Sequence, residues 1–161
     1  METLLPLADA IAGRLKARDE TVAVAESSSG GLISAALLSV PGASAYFLGG
    51  GVIYTARARH RLLDLGKADV EGMRSASEPY ALLLARTARM RLATTWGLSE
   101  TGAAGPTGNG YGDASGHSCI ALSGPVELSR VIETASEDRP ANMRAFASAA
   151  LTLLLDALES D

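Results

Sequence analysis

Residues 25–55 read AESSSGGLISAALLSVPGASAYFLGGGVIYT. No charged side chain occurs from Ser27 to Ala56; Glu26 precedes the run, and Arg57 and Arg59 follow it. An uncharged stretch of this length is either membrane-embedded or buried in a core. Pro41-Gly42 and the triplet Gly49, Gly50, Gly51 interrupt it, and its serines dilute it, so the chain is expected not to enter a membrane here. It divides instead into a buried helix over residues 31–39, a turn, and a buried strand over residues 50–55. A core helix and strand have no need of three serines, a double glycine and another serine after Pro-Gly. Those small polar groups are placed to meet a ligand.

Residues 4–17 carry a helical apolar stripe and residues 21–25, TVAVA, a buried-strand pattern. A short helix is expected over residues 57–65. A long one should run from Ser77 to about Thr95, because serine caps a helix start and Pro79 suits its first turn. Strands follow at 96–101, 117–122 and 126–134, the last two joined by a Gly124-Pro125 turn. Asp138 or Pro140 opens a final helix to about Leu158. Strands alternating with helices predict an α/β fold: one layered domain over residues 1–161, with a central mixed sheet flanked by helices. Ligands collect where strands end in such sheets. The loops richest in small polar residues, at 26–31, 41–44 and 101–110, fall at such junctions.

Composition narrows the partners. A net charge of −4 and an isoelectric point near 5.2 argue against nucleic acid, which needs a basic face. The single cysteine, Cys119, precludes an internal disulfide and any cysteine metal cluster. No metal-ligand spacing appears, and neither a metal nor another cofactor is called for. METLLPLADA has no basic region ahead of its leucines, so it is not a secretory signal, and a cytoplasmic location is expected.

The turn ESSSGG sets Ser29, Gly30 and Gly31 at a helix start, where free N–H groups and the helix dipole favour a phosphate or carboxylate. Ordinary capping by Ser29 is the alternative. Glu26, an acid directly after a buried strand, either holds a ligand hydroxyl or an arginine, or serves as a cap. TGAAGPTG, with Thr101, Gly102 and Gly105, either brings backbone amides against a ligand or forms a surface loop. Ser44 would need a neighbour to take its proton to act as a nucleophile. His60 and His117 are the only histidines, and no Ser-His-Asp arrangement stands out.

With these motifs in place, the chain resembles the C-terminal domain family of the competence/damage-inducible CinA proteins from about Leu4 to Leu158. AESSSGG, VPGASAYFLGGGVIYT, SASEP, TGAAGPTG and DRPANMR carry the resemblance. It implies hydrolysis of the carboxamide of nicotinamide mononucleotide to nicotinic acid mononucleotide and ammonia. By resemblance Ser44 falls on the nucleophilic serine, Tyr54 on a tyrosine near the site, and Arg59 on the position of the proton-accepting lysine. The resemblance also implies arginines at the start of the last helix, with Arg144 favoured over Arg139 for the substrate phosphate, and self-association into a homo-oligomer. Arginine keeps its proton at any ordinary pH, so Arg59 is a poor base. The only lysines, Lys16 and Lys67, do not replace it. Two alternatives therefore stand beside the deamidase: a nucleotide-binding module without turnover, and an amidase of different substrate.

Overall fold

In the computed structural model, which describes residues 1–160, α1 (Leu5–Arg18) leads into β1 (Val22–Glu26), α2 (Leu32–Leu38) and β2 (Phe47–Val52). Then come α3 (Ala56–Leu63), α4 (Glu78–Leu92), β3 (Trp96–Ala103), β4 (His117–Ser123), β5 (Leu128–Glu133) and α5 (Arg139–Glu159). The strands form one sheet in the order β2-β1-β3-β4-β5. Helices return the chain between β1, β2 and β3, so β1 runs parallel to both neighbours; β4 is antiparallel to β3 and β5. This is the expected mixed sheet flanked by helices.

The two faces of the sheet are packed differently. On one, Val22, Val24, Trp96, Leu98, Ile120 and Leu122 meet the apolar faces of α1, α2 and α5. On the other, Ala23, Ala25, Cys119 and Ala121 meet α4 through Ala81, Leu84, Ala85 and Ala88. Small residues there let α4 sit directly on the strands. A Cβ added at Gly97 would lie 2.0 Å from the Ala85 carbonyl oxygen, so helix and strand touch backbone to backbone. Both long helices start as their sequence implies: Ser77 accepts the Tyr80 N–H, and Asp138 accepts that of Ala141.

β2 departs from expectation. It occupies Phe47–Val52 rather than residues 50–55. Tyr46 is wholly buried and accepts the Val22 N–H through its carbonyl, which starts the pairing three residues early. At the other end the Thr55 hydroxyl accepts the Ala58 N–H and caps α3, ending the strand before residues that otherwise read as extended.

Candidate active site

The ends of β1 and β3, and the segment leaving β2, lie along one edge of the domain and open onto a crevice with two adjoining lobes. The larger, about 430 Å³, is lined by Ser27, Tyr54, Arg59, Tyr80, Thr101 and Tyr111 among others. The smaller, about 260 Å³, is lined by Ser28, Tyr54, Gly102, Gly105, Asn109 and Arg139 among others. Tyr54, 57% exposed, stands between them. Arg139 reaches over from α5, donating one N–H to the Tyr54 hydroxyl at 3.2 Å and another to the Gly105 carbonyl. Arg59 is held from behind, its Nε donating to the Leu65 carbonyl at 3.2 Å. The crevice thus carries two permanent cations, three tyrosines and several backbone amides and hydroxyls.

The ESSSGG turn lies against this crevice, but its anion-attracting groups are already engaged. Glu26 is wholly buried. Its carboxylate accepts the hydroxyls of Ser29 and Ser34, each at 2.7 Å, and the N–H groups of Ile33 and Ser34 at 3.1 and 2.9 Å. Glu100, wholly buried on β3, accepts the N–H groups of Ser27 and Ser29 at 3.1 and 2.8 Å and the hydroxyls of Ser28 and Ser118. A helix start does attract an anion here; the anion is the protein's own. Glu26 therefore faces α2, and Ser29 spends both its polar groups internally. Gly30 and Gly31 adopt φ values of +68° and +99° and close the turn outside the lining of both lobes. Ser27 and Ser28 are the serines of the turn that border the crevice.

Thr101 borders the larger lobe while its hydroxyl accepts the Ala76 N–H at 3.2 Å. Gly102 borders both lobes, and a Cβ there would lie 2.5 Å from the His117 carbonyl oxygen. Gly105, at φ +106°, has Ser115 Oγ where a Cβ would go. Close backbone approach thus requires glycine at 102, and the left-handed φ favours it at 105.

Ser44 lies elsewhere. It is exposed in the short helical turn Ala43–Ala45 ahead of β2, whereas Tyr54 follows the strand's far end. Six extended residues span roughly 20 Å, so the two side chains stand at opposite ends of the sheet. Arg144 is exposed on α5 and borders neither lobe; Arg139, one turn earlier, does.

Behind the larger lobe a polar cluster fixes residues 109–113. The Asn109 side chain accepts the N–H groups of Tyr111 and Asp113 and donates to the Asp113 carboxylate at 2.8 Å. Arg74 forms a two-point ion pair with Asp113. The Arg74 hydrogen bond holds Asp113 below the usual carboxylate range. His117 sits 3.6 Å from Asp113, with Nδ1 2.5 Å from Glu133 and Nε2 2.8 Å from the Ala76 carbonyl. Burial alone would lower the His117 pKa. Its hydrogen bonds to Glu133 and Ala76 and the nearby carboxylates outweigh burial and raise it. Both ring nitrogens face acceptors, so the doubly protonated ring fits this setting. Cys119 is buried behind it, and burial pushes its thiol up to about 11. Glu100, Asp113 and the position of Arg139 were not legible in the sequence. For Glu100 the available signal was an acid inside an otherwise buried strand.

Among the described residues no group of three or more His, Cys, Asp or Glu side chains is set to hold a metal, and no helix is long and apolar enough to cross a membrane.

Residues 4–158 match the family model of the CinA C-terminal domain. The CinA-like protein of Acaryochloris marina is 42% identical over 118 residues, 73% of this chain and 28% of that protein. That of Anaeromyxobacter dehalogenans is 38% identical over 152 residues, 94% of this chain and 37% of the relative. The chain spans about a third of the length of these curated relatives. Among solved structures, the competence/damage inducible protein CihA of Agrobacterium tumefaciens superposes with a TM-score of 0.88 at 28% identity, covering 97% of this chain and 95% of that one. A CinA superfamily protein of Klebsiella pneumoniae gives a TM-score of 0.91 at 21% identity over 98% and 99% of the two chains, a likeness of fold.

Proposed function

The chain belongs to the CinA C-terminal domain family, and from that premise we propose that its crevice binds nicotinamide mononucleotide and that the protein hydrolyses the carboxamide to the acid and ammonia. The observation that carries this reading is Tyr54 with Arg139 across the mouth of the smaller lobe and Arg59 bordering the larger. An aromatic ring between two guanidinium groups suits a flat heterocycle bearing a phosphate, since guanidinium binds phosphate at two points and stacks on rings. The phosphate is assigned to Arg139 rather than to Arg144 or the ESSSGG turn, whose amides Glu100 already holds.

In the chemical step Ser44 Oγ, which within one chain stands at the far end of β2 from Tyr54 and reaches this crevice from a second copy of the chain, adds to the carboxamide carbon. A water held at the Tyr54 hydroxyl takes the serine proton and returns it to the departing amine, so ammonia leaves and an acyl ester remains. A second water cleaves the ester, giving the carboxylate and restoring the serine. Arg59 supplies charge to the developing oxyanion and moves no proton. The test is release of ammonia and nicotinic acid mononucleotide by the purified protein beside Ser44→Ala. The reading requires turnover in the parent and its loss in the variant.

A second reading, a binding module without turnover, is favoured by one specific observation: Arg59 occupies the base position with its Nε already donated to Leu65. It predicts thermal stabilisation by the nucleotide without product, and turnover appearing in Arg59→Lys.

A further inference from the structure

We infer that the crevice retains the product of the proposed reaction: Arg59 and Arg139 together hold a mononucleotide whose ring bears a carboxylate, and hold it more tightly than the corresponding carboxamide. The inference rests on the deamidase reading for the identity of the two nucleotides. Hydrolysis turns a neutral carboxamide into a carboxylate. The substrate therefore brings one anionic group, its phosphate, and the product brings two. The crevice offers two cations, one in each lobe. Its charges match the product.

The setting of those cations supports the match. Tyr54, Gly102 and Asn109 border both lobes, so one ligand can occupy the two together. Among the described residues no aspartate or glutamate lines either lobe, and nothing in the lining cancels the two charges. Arg74, Arg86 and Arg130 each pair with a carboxylate. Arg59 and Arg139 donate instead to neutral oxygens, the first to the Leu65 carbonyl and the second to the Gly105 carbonyl and the Tyr54 hydroxyl. The Leu65 bond takes Arg59 Nε and leaves its two terminal nitrogens for a two-point contact with a carboxylate. A carboxamide has one acceptor oxygen, and its NH₂ group is a donor that a guanidinium cannot pair with. Because arginine keeps its charge at every working pH, the preference is permanent. The acid competes with the amide for the crevice, and turnover slows as product accumulates.

Calorimetric titration of Ser44→Ala with both nucleotides tests this, since the active parent would consume the amide. Ser44 is exposed, so the variant keeps the fold. Nicotinic acid mononucleotide should bind about 10- to 100-fold more tightly than nicotinamide mononucleotide, the scale of a charge-assisted contact. Adding Arg59→Gln should bring the two affinities within a factor of about three, chiefly by weakening the acid, and Arg59→Lys should restore part of the gap. Adding Arg139→Ala should weaken both nucleotides alike and leave the gap, an outcome that general damage to the site would not give. No binding of the acid, equal affinities in Ser44→Ala, or a gap that survives Arg59→Gln overturns the inference. Ammonia release by the parent decides the deamidase reading separately. Turnover with equal affinities leaves that reading standing and removes product retention. A gap without turnover removes the deamidase and leaves a binding site for the acid.

Discussion

The Glu100 carboxylate accepts the backbone N–H of Ser29 at 2.8 Å, joining the middle of β3 to the turn that opens α2. The same side chain takes the Ser27 N–H and the hydroxyls of Ser28 and Ser118, so one buried charge organises the whole turn. Replacing it leaves several buried donors without an acceptor. Glu100→Gln should lose about 2–4 kcal/mol of stability, the scale of a broken buried charged network. The shift of the urea midpoint measures it, and an unchanged midpoint would show that the turn holds itself.

Arg139 and Arg144 should separate in binding. A hydrogen bond to a charged group contributes about 1.5–3 kcal/mol, so Arg139→Ala should weaken nucleotide binding by about 10- to 100-fold. Arg144, exposed outside the crevice, should leave it within a factor of about two when changed to Ala. Calorimetric titration of both variants with nicotinamide mononucleotide checks the contrast.

His117 makes stability depend on pH. Its pKa in the folded protein is raised above the ordinary 6.5. The stabilisation is therefore fully present below 6.5 and disappears as pH rises through the higher folded value. Urea midpoints across about pH 5 to 9 should fall along that limb, and His117→Gln should flatten it. The loop at 109–113 should loosen over the same interval, because Asp113 faces the imidazolium at 3.6 Å.

Cys119, with its thiol pushed up to about 11 by burial, should be inert to an aromatic disulfide reagent in the native protein. One thiol per chain should react once the protein is denatured. Reaction at the native rate of a free thiol would contradict its burial.

Most of the fold was legible because its signals are local. Ser77 and Asp138 mark helix starts by their own chemistry, and short runs of mostly apolar residues mark the buried strands β1 and β4. β2 was misplaced because three consecutive glycines carry no side-chain alternation. The anion attraction of the ESSSGG turn was legible too. What occupies it was not, because Glu100 comes from 71 residues beyond Ser29. The choice between Arg139 and Arg144 turns on which point of α5 meets the crevice, a matter of helix placement that the arginines themselves do not encode. Family likeness assigns Ser44 a role without assigning it a place, and the extended length of β2 sets it far from Tyr54 in the same chain.

α4 has its start beside one opening and its end beside another. Ala76 and Tyr80 border the crevice, while Ala88, Arg91 and Leu92 border the groove at the sheet edge. Between them the helix rests on Gly97 with no slack for a methyl group. The middle of α4 therefore has no room to move toward the sheet. The crevice and the groove are thus lined by the two ends of one helix whose middle lies directly on the Gly97 backbone.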